Sequence, residues 1–173
     1  PDKSVVNKQE YADFEKLALK AEQILNSDDY TGEGIEEFQH RGGSPGGARP
    51  KIFTRYGNKE WLVKFRAKHD PKRIGRQEYQ YSLLAKECGL EMPETRLFEE
   101  KYFGVERFDR SANGKFHVIS IAGLIGADYR MPCIDYSHIF KVCSILSHNM
   151  AELWKVYRLM VFNYLIANKD DHA

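Results

Sequence analysis

The chain has 173 residues, 42% hydrophobic and 29% charged, and its 26 basic residues nearly cancel its 25 acidic ones to leave a net charge of +1. This is the profile of a globular domain, or of two closely packed lobes, long enough to bury a core. It argues against a dedicated nucleic-acid binder, which carries a basic excess, and no apolar run approaches the roughly 20 residues of a membrane span. Three scattered cysteines, Cys88, Cys133 and Cys143, have no C-x-x-C spacing. They support neither a disulfide framework nor a zinc site, and they fit a reducing intracellular setting. The start does not read as a signal peptide. Pro1 in place of Met, and a stop at Ala173 just after an acidic stretch, read as ends cut from a longer chain.

Residues 8–26 place Tyr11, Phe14, Leu17, Ala21 and Ile24 at helical spacing, with Asn7 and Glu10 as a capping box. Residues 27–50 lose all periodicity. Within them His40–Lys51, HRGGSPGGARPK, packs four glycines and two prolines among basic residues, which excludes a helix interior or a central strand. A loop of this length inside a compact domain is either functional or disordered. KIFTRY and WLVKF flank a Gly-Asn turn and predict a hairpin. Residues 74–88 predict a helix with Tyr79, Leu83 and Leu84 on one face and Gly89 at the C-cap. TRLF, an EEK turn and YFGVERF predict a second hairpin, and Ser111–Lys115 a further turn before FHVISI. Two helices follow, over 137–149 and 151–168. The second is apolar nearly all round, which predicts deep burial. A β-rich half before an α-rich half gives an α+β class, with a seam near residues 106–112.

Four stretches carry chemistry. Gly42, Gly43, Gly46 and Gly47 let backbone N–H groups approach a ligand, with Arg41, Arg49 and Lys51 adding positive charge. A glycine loop beside a hairpin is how protein kinases cover a nucleotide, and the Walker pattern is absent; the same loop also reads as a flexible linker. Lys64, on the strand WLVKF, precedes a helix that offers Glu78 early, the order of a phosphate-holding lysine and its carboxylate; a pair of surface residues reads the same way. In VERFDR, Val105 and Phe108 are placed to flank a flat ring, with backbone groups at Glu106 and Phe108 reading its edge; an ordinary strand end is the plainer account. NKDDH, residues 168–172, sets Asp170 at a helix exit, able to accept a hydroxyl proton or to help position magnesium. Two aspartates there oppose the helix dipole, so capping alone explains them poorly. Ser44 sits inside the glycine loop, where a turn-forming role is the simplest one and modification would add charge next to bound phosphate.

Taken in order, SPGGARPK, the VKF lysine, QEYQYSLLAKECGL, MPETRLF, VERFDR and LIANKDDHA resemble the HipA-type serine/threonine kinases, the toxin halves of bacterial toxin–antitoxin pairs. The likeness runs from about Gly43 to Ala173; residues 1–38 form an N-terminal helical segment without a match. The resemblance implies a two-lobed protein-kinase-like fold, with an N-lobe over 39–109 and the first part of a helical C-lobe over 110–173. It implies ATP and Mg²⁺ as cofactors and a bacterial cytoplasmic location. By position, Gly46, Gly47, Ala48, Arg49, Pro50 and Lys51 cover the phosphates. Lys64 holds them, oriented by Glu78, and Glu106, Arg107 and Phe108 form the adenine-reading hinge. Asp170 is the catalytic base with His172 near the phosphates, and Ser44 is the autophosphorylated serine. The implied partners are a protein substrate, with aminoacyl-tRNA synthetases among those of the family, and a small DNA-binding antitoxin; neither direct nucleic-acid specificity nor a membrane is implied. The family motif continues with Lys-Asn and a later metal-binding aspartate, both past Ala173. The metal set is therefore incomplete here, and the 173 residues alone are expected to be inactive. A pseudokinase-like binding module, or a small-molecule kinase, would share the same parts.

Overall fold

The computed structural model describes residues 14–16, 18–19, 49–67, 69–111, 113–127 and 134–168. The chain divides into two compact units, Pro1–Tyr81 with Pro93–Arg107, and Ser82–Met92 with Phe108–Ala173. Helices and antiparallel strands together make it an α+β protein.

The first unit is built on a four-stranded antiparallel sheet of β1 (Lys51–Tyr56), β2 (Lys59–Lys64), β3 (Thr95–Phe98) and β4 (Tyr102–Glu106), in the order β1-β2-β4-β3. Both predicted hairpins form. Gly57 supplies the positive φ, 63°, that the first residue of a two-residue turn needs. The second turn is less comfortable: Glu99 and Glu100 stand at φ of 48° and 58°, the left-handed region that side chains resist.

Pairing of Lys51 with Lys64, Phe53 with Leu62, Lys64 with Phe103 and Leu62 with Val105 puts these six side chains on one face of the sheet. The alternate positions form the core. Ile52 and Val63 are fully buried and Trp61 nearly so, and with Phe65 and Phe98 they pack against Phe14 from the helical residues 14–16. Phe98 centres this cluster, 5.0 Å from the Phe14 ring and edge-on to Trp61 at 5.4 Å. The capping box expected at Asn7 and Glu10 lies outside the described residues.

Helix α1 (Ile74–Glu87) ends as expected, with Gly89 at φ 75° and the Leu90 N–H donating to the Ala85 carbonyl. Leu83 and Leu84, from the face named in sequence, are 40% and 41% exposed, while Gly75, Ser82 and Ala85 are buried. At Gly75 the approach is close: a Cβ there would stand 2.1 Å from the Lys101 carbonyl oxygen.

The second unit carries a minimal ribbon of β5 (Arg110–Ser111) and β6 (Gly114–Lys115), then α2 (Ile121–Ile125), α3 (Tyr136–Ser147) and α4 (Met150–Leu165). FHVISI does not pair as a strand; Phe116–Ser120 is irregular and Ser120 caps α2 through its hydroxyl. Asp135 caps α3 in a capping box with His138, and Asn149 caps α4. Asn163 is the buried residue of α4, donating 3.0 Å to the Tyr136 hydroxyl.

The deep burial expected of the last helix is not found. Trp154, Tyr164 and Leu165 are 60%, 84% and 74% exposed. A helix apolar around its circumference has more such surface than one neighbouring helix covers, and α3 is the element packed on it. Arg158 donates 2.6 Å to the Gly89 carbonyl and Lys155 pairs with Glu91 at 2.9 Å within the same unit. Among the described residues, no helix is long and apolar enough to cross a membrane.

Candidate functional site

Antiparallel pairing in β1–β2 sets Lys51 directly opposite Lys64. Two ammonium groups so placed repel. Lys51 shows it, since burial pushes its pKa down, the charge of Lys64 pushes it further, and Glu78 partly restores it. Glu78, one turn into α1, supplies the compensating charge: its Oε2 accepts from Lys64 Nζ at 3.1 Å. The strand lysine and helix glutamate expected from sequence therefore meet. The Phe103 ring lies 5.5 Å from the same ammonium.

Glu78 has a second cation. Arg49 Nη1 donates to Oε1 at 2.5 Å, while Arg49 Nε and Nη2 fork onto Asp70 at 2.8 and 3.1 Å. Asp70 also accepts from the Ala67 N–H at 2.9 Å. Its burial raises its pKa, but the bonds from Arg49 and Ala67 outweigh that and leave the carboxyl below its ordinary value. The four side chains Asp70, Arg49, Glu78 and Lys64 thus form one continuous chain of charges, with side-chain exposures of 16–34%. Asp70 was missed by sequence reading. Its only local signal is the Asp-Pro step, which reads as a turn.

Lys64, Glu78 and Arg49 line a cleft of about 400 Å³, with Arg66, Lys72 and Lys101 as further cations and Glu15 as the other carboxylate. Lys101 is bonded to Glu15 at 2.7 Å. Ile74, Gly75, Phe65 and Tyr102 provide apolar wall. The net positive lining suits an anionic ligand.

The other predicted site residues fare unevenly. The N–H groups of Glu106 and Arg107 donate to the carbonyls of Glu94 and Glu60, both at 2.8 Å, so they are engaged within the sheet unit. The Glu106 carboxylate accepts from Lys59 at 2.8 Å. Arg107 lays its guanidinium over the Phe53 ring at 3.8 Å, which puts a cation on the same sheet face as Lys51 and Lys64. From β4 pairing, Glu106 stands opposite Trp61, three residues along β2 from Lys64, or roughly 10 Å. Phe108 is 68% exposed. Pro50 accepts, through its carbonyl, the Phe65 N–H at 2.8 Å, which closes the hairpin next to the site. Gly46, Gly47, Ala48 and Ser44, together with Asp170 and His172, lie outside the described residues, so the convergence of Asp170 with Lys64 does too. No group of three histidine, cysteine or acidic side chains able to hold a metal ion occurs among the described residues.

Fold and site define an α+β protein whose sheet presents a lysine–glutamate ion pair at the wall of a cationic cleft. A family model described as the HipA-like C-terminal domain matches residues 43–173, and the chain belongs to that family as a HipA-type protein. A comparison with curated proteins found no match.

Proposed function

We propose that the chain is the nucleotide-binding part of an ATP-dependent serine/threonine protein kinase of the HipA type, with a kinase-like two-lobed fold. The observation that carries this reading is the facing pair Lys51 and Lys64 with Glu78 bonded to the latter at 3.1 Å. Lys51, Lys64 and Arg49 set against Glu78 and Asp70 leave an excess positive charge at this end of the sheet. A bound polyphosphate would relieve their repulsion, and the lining of the cleft fits one.

When bound, ATP supplies the phosphoryl group and Mg²⁺ neutralises its developing charge. Lys64 holds phosphate oxygens, and Glu78 keeps its ammonium extended toward them. Phe53, Leu62 and Val105 offer the apolar floor that a flat base requires, with Arg107 beside it. Asp170 is the proposed base for the acceptor hydroxyl, His172 its neighbour, and Gly46–Ala48 the cover over the phosphates; Ser44 is the proposed site of autophosphorylation. The acceptor is a protein hydroxyl, aminoacyl-tRNA synthetases being one candidate class. A small antitoxin is the proposed restraining partner and the bacterial cytoplasm the proposed location.

Titration of the whole chain with a non-hydrolysable ATP analogue and Mg²⁺, by calorimetry, tests this. Lys64→Met should weaken binding about ten- to hundredfold, the worth of a charged hydrogen bond. Failure of the unaltered chain to bind at millimolar analogue, or equal binding by the variant, would refute it. Binding without phosphate transfer to any protein, in a chain extended to include every metal ligand, would assign a nucleotide-holding module.

A further inference from the structure

We infer that Asp70 is a positioning residue: by taking two nitrogens of Arg49, it keeps the guanidinium from seizing both oxygens of Glu78 and so reserves Oε2 for Lys64.

The argument is geometric. A guanidinium prefers to grip a carboxylate with two parallel bonds. Among the described residues Arg49 bonds two carboxylates and makes the two-bond grip on Asp70, at 2.8 and 3.1 Å, while Glu78 receives the Nη1 contact. The second oxygen of Glu78 is therefore available to Lys64 at 3.1 Å. Asp70 is built for this task. It is held in place by the Ala67 N–H at 2.9 Å, its side chain is 16% exposed, and its net pKa lies below the usual carboxylate range, so it stays charged at neutral pH. Without that charge the better fork for Arg49 is Glu78 itself, and a fork there displaces the ammonium. Arg49 directly follows the glycine loop and leads through Pro50 into β1, so the same clamp also fixes where the loop rejoins the sheet. The inference deepens the proposed nucleotide site and rests on that reading for its functional meaning, but its structural content does not.

The test uses the whole chain and reads Lys64 directly. Brief acetylation with an N-hydroxysuccinimide ester, followed by peptide mass spectrometry, gives the rate at Lys64 relative to Lys86, in the last turn of α1. Asp70→Asn keeps an acceptor for the Ala67 N–H but removes the charge and replaces the other oxygen with an NH2 donor, which breaks the two-bond grip on Arg49. It should raise the relative rate at Lys64 about threefold, the scale of losing one half-exposed ion pair. Arg49→Gln added to Asp70→Asn should return the rate to that of the unaltered chain, because the competitor is gone. A purely structural role for Asp70 would not be rescued by a second loss. An unchanged rate in Asp70→Asn, or no rescue in the double variant, overturns the assignment. ATP-analogue binding measured on the same proteins should follow the same order. If the unaltered chain binds no analogue while the acetylation pattern holds, the nucleotide reading fails and the role of Asp70 stands.

Discussion

The approach of α1 to the β3–β4 turn is close enough that one methyl group should disturb both stability and site. A Cβ at residue 75 would lie 2.1 Å from the Lys101 carbonyl oxygen and 3.1 Å from the Phe103 nitrogen. Both are backbone atoms and cannot rotate away, so Gly75→Ala must shift the start of α1 outward by more than about 1 Å to reach ordinary contact. Overpacking of this kind costs up to about 3 kcal/mol. Alanine recovers about 1 kcal/mol through its better helix propensity. The net loss is about 2 kcal/mol, or a fall in Tm of about 4–8 °C for a chain of this size. Glu78 follows three residues later on the same side of the helix, and its bond to Lys64 is already 3.1 Å. An outward shift of about 1 Å takes that contact beyond hydrogen-bond range. Thermal unfolding followed by circular dichroism, paired with the acetylation rate of Lys64, should therefore change together. Arg76→Ala, at the neighbouring exposed position, serves as control and should stay within about 0.5 kcal/mol of the unaltered protein. A Gly75→Ala protein with the original Tm and the original Lys64 reactivity would refute the close-approach argument.

Phe98→Ala removes the ring shared by Phe14, Tyr56 and Trp61 and should cost about 3–5 kcal/mol in chemical denaturation; a loss under 1 kcal/mol would mean the aromatic cluster is not the core. Glu99→Asn with Glu100→Gly supplies residues that accept positive φ and should stabilise by about 1 kcal/mol, despite losing the exposed Arg76–Glu100 pair at 3.0 Å; a lower Tm would contradict the turn geometry. The Ser137 hydroxyl, then the His138 N–H and ring, hold the pKa of Asp135 down to about 2. A depressed carboxyl stabilises above its unfolded value near 4 and loses that contribution as pH falls toward 2. Protection of the first-turn amides of α3 against exchange, relative to the intrinsic rate at each pH, should therefore fall across that window, and Asp135→Asn, which keeps a capping acceptor, should flatten the dependence.

Much of the first unit is legible in sequence because short-range physics decides it. Gly57 and Gly89 stand where backbone conformations exclude most side chains, and two-residue periodicity marks the strands that pair as β1–β2 and β3–β4. The Lys64–Glu78 pair was readable from order alone, as a strand lysine followed by an early helix glutamate. The facing of Lys51 and Lys64 was also within reach, since a two-residue turn at 57–58 dictates it once positions are counted back along the hairpin. Asp70 was not readable: it lies 21 positions along the chain from Arg49, and nothing periodic links them. Hydrophobicity is an incomplete guide in two helices. On α1 the large residues Leu83 and Leu84 share a face yet stay exposed, while Gly75, Ser82 and Ala85 are buried. On α4 apolar content suggested an interior that, among the described residues, α3 does not provide. The short α2 escaped notice because FHVISI has strand-like composition, and only the hydroxyl of Ser120 signals the helix that follows.

Strand β2 serves two masters at alternate positions. Trp61 and Val63 belong to the aromatic interior, whereas Leu62 and Lys64 belong to the opposite face, where Glu78 is met. Slippage by a single residue during folding would drive the ammonium into the oily centre and throw the indole out into solvent. Misassembly at this strand would therefore break the Lys64–Glu78 pair and the cohesion of the core at once, so a chain that holds its shape here has, by the same alignment, already aimed its cation.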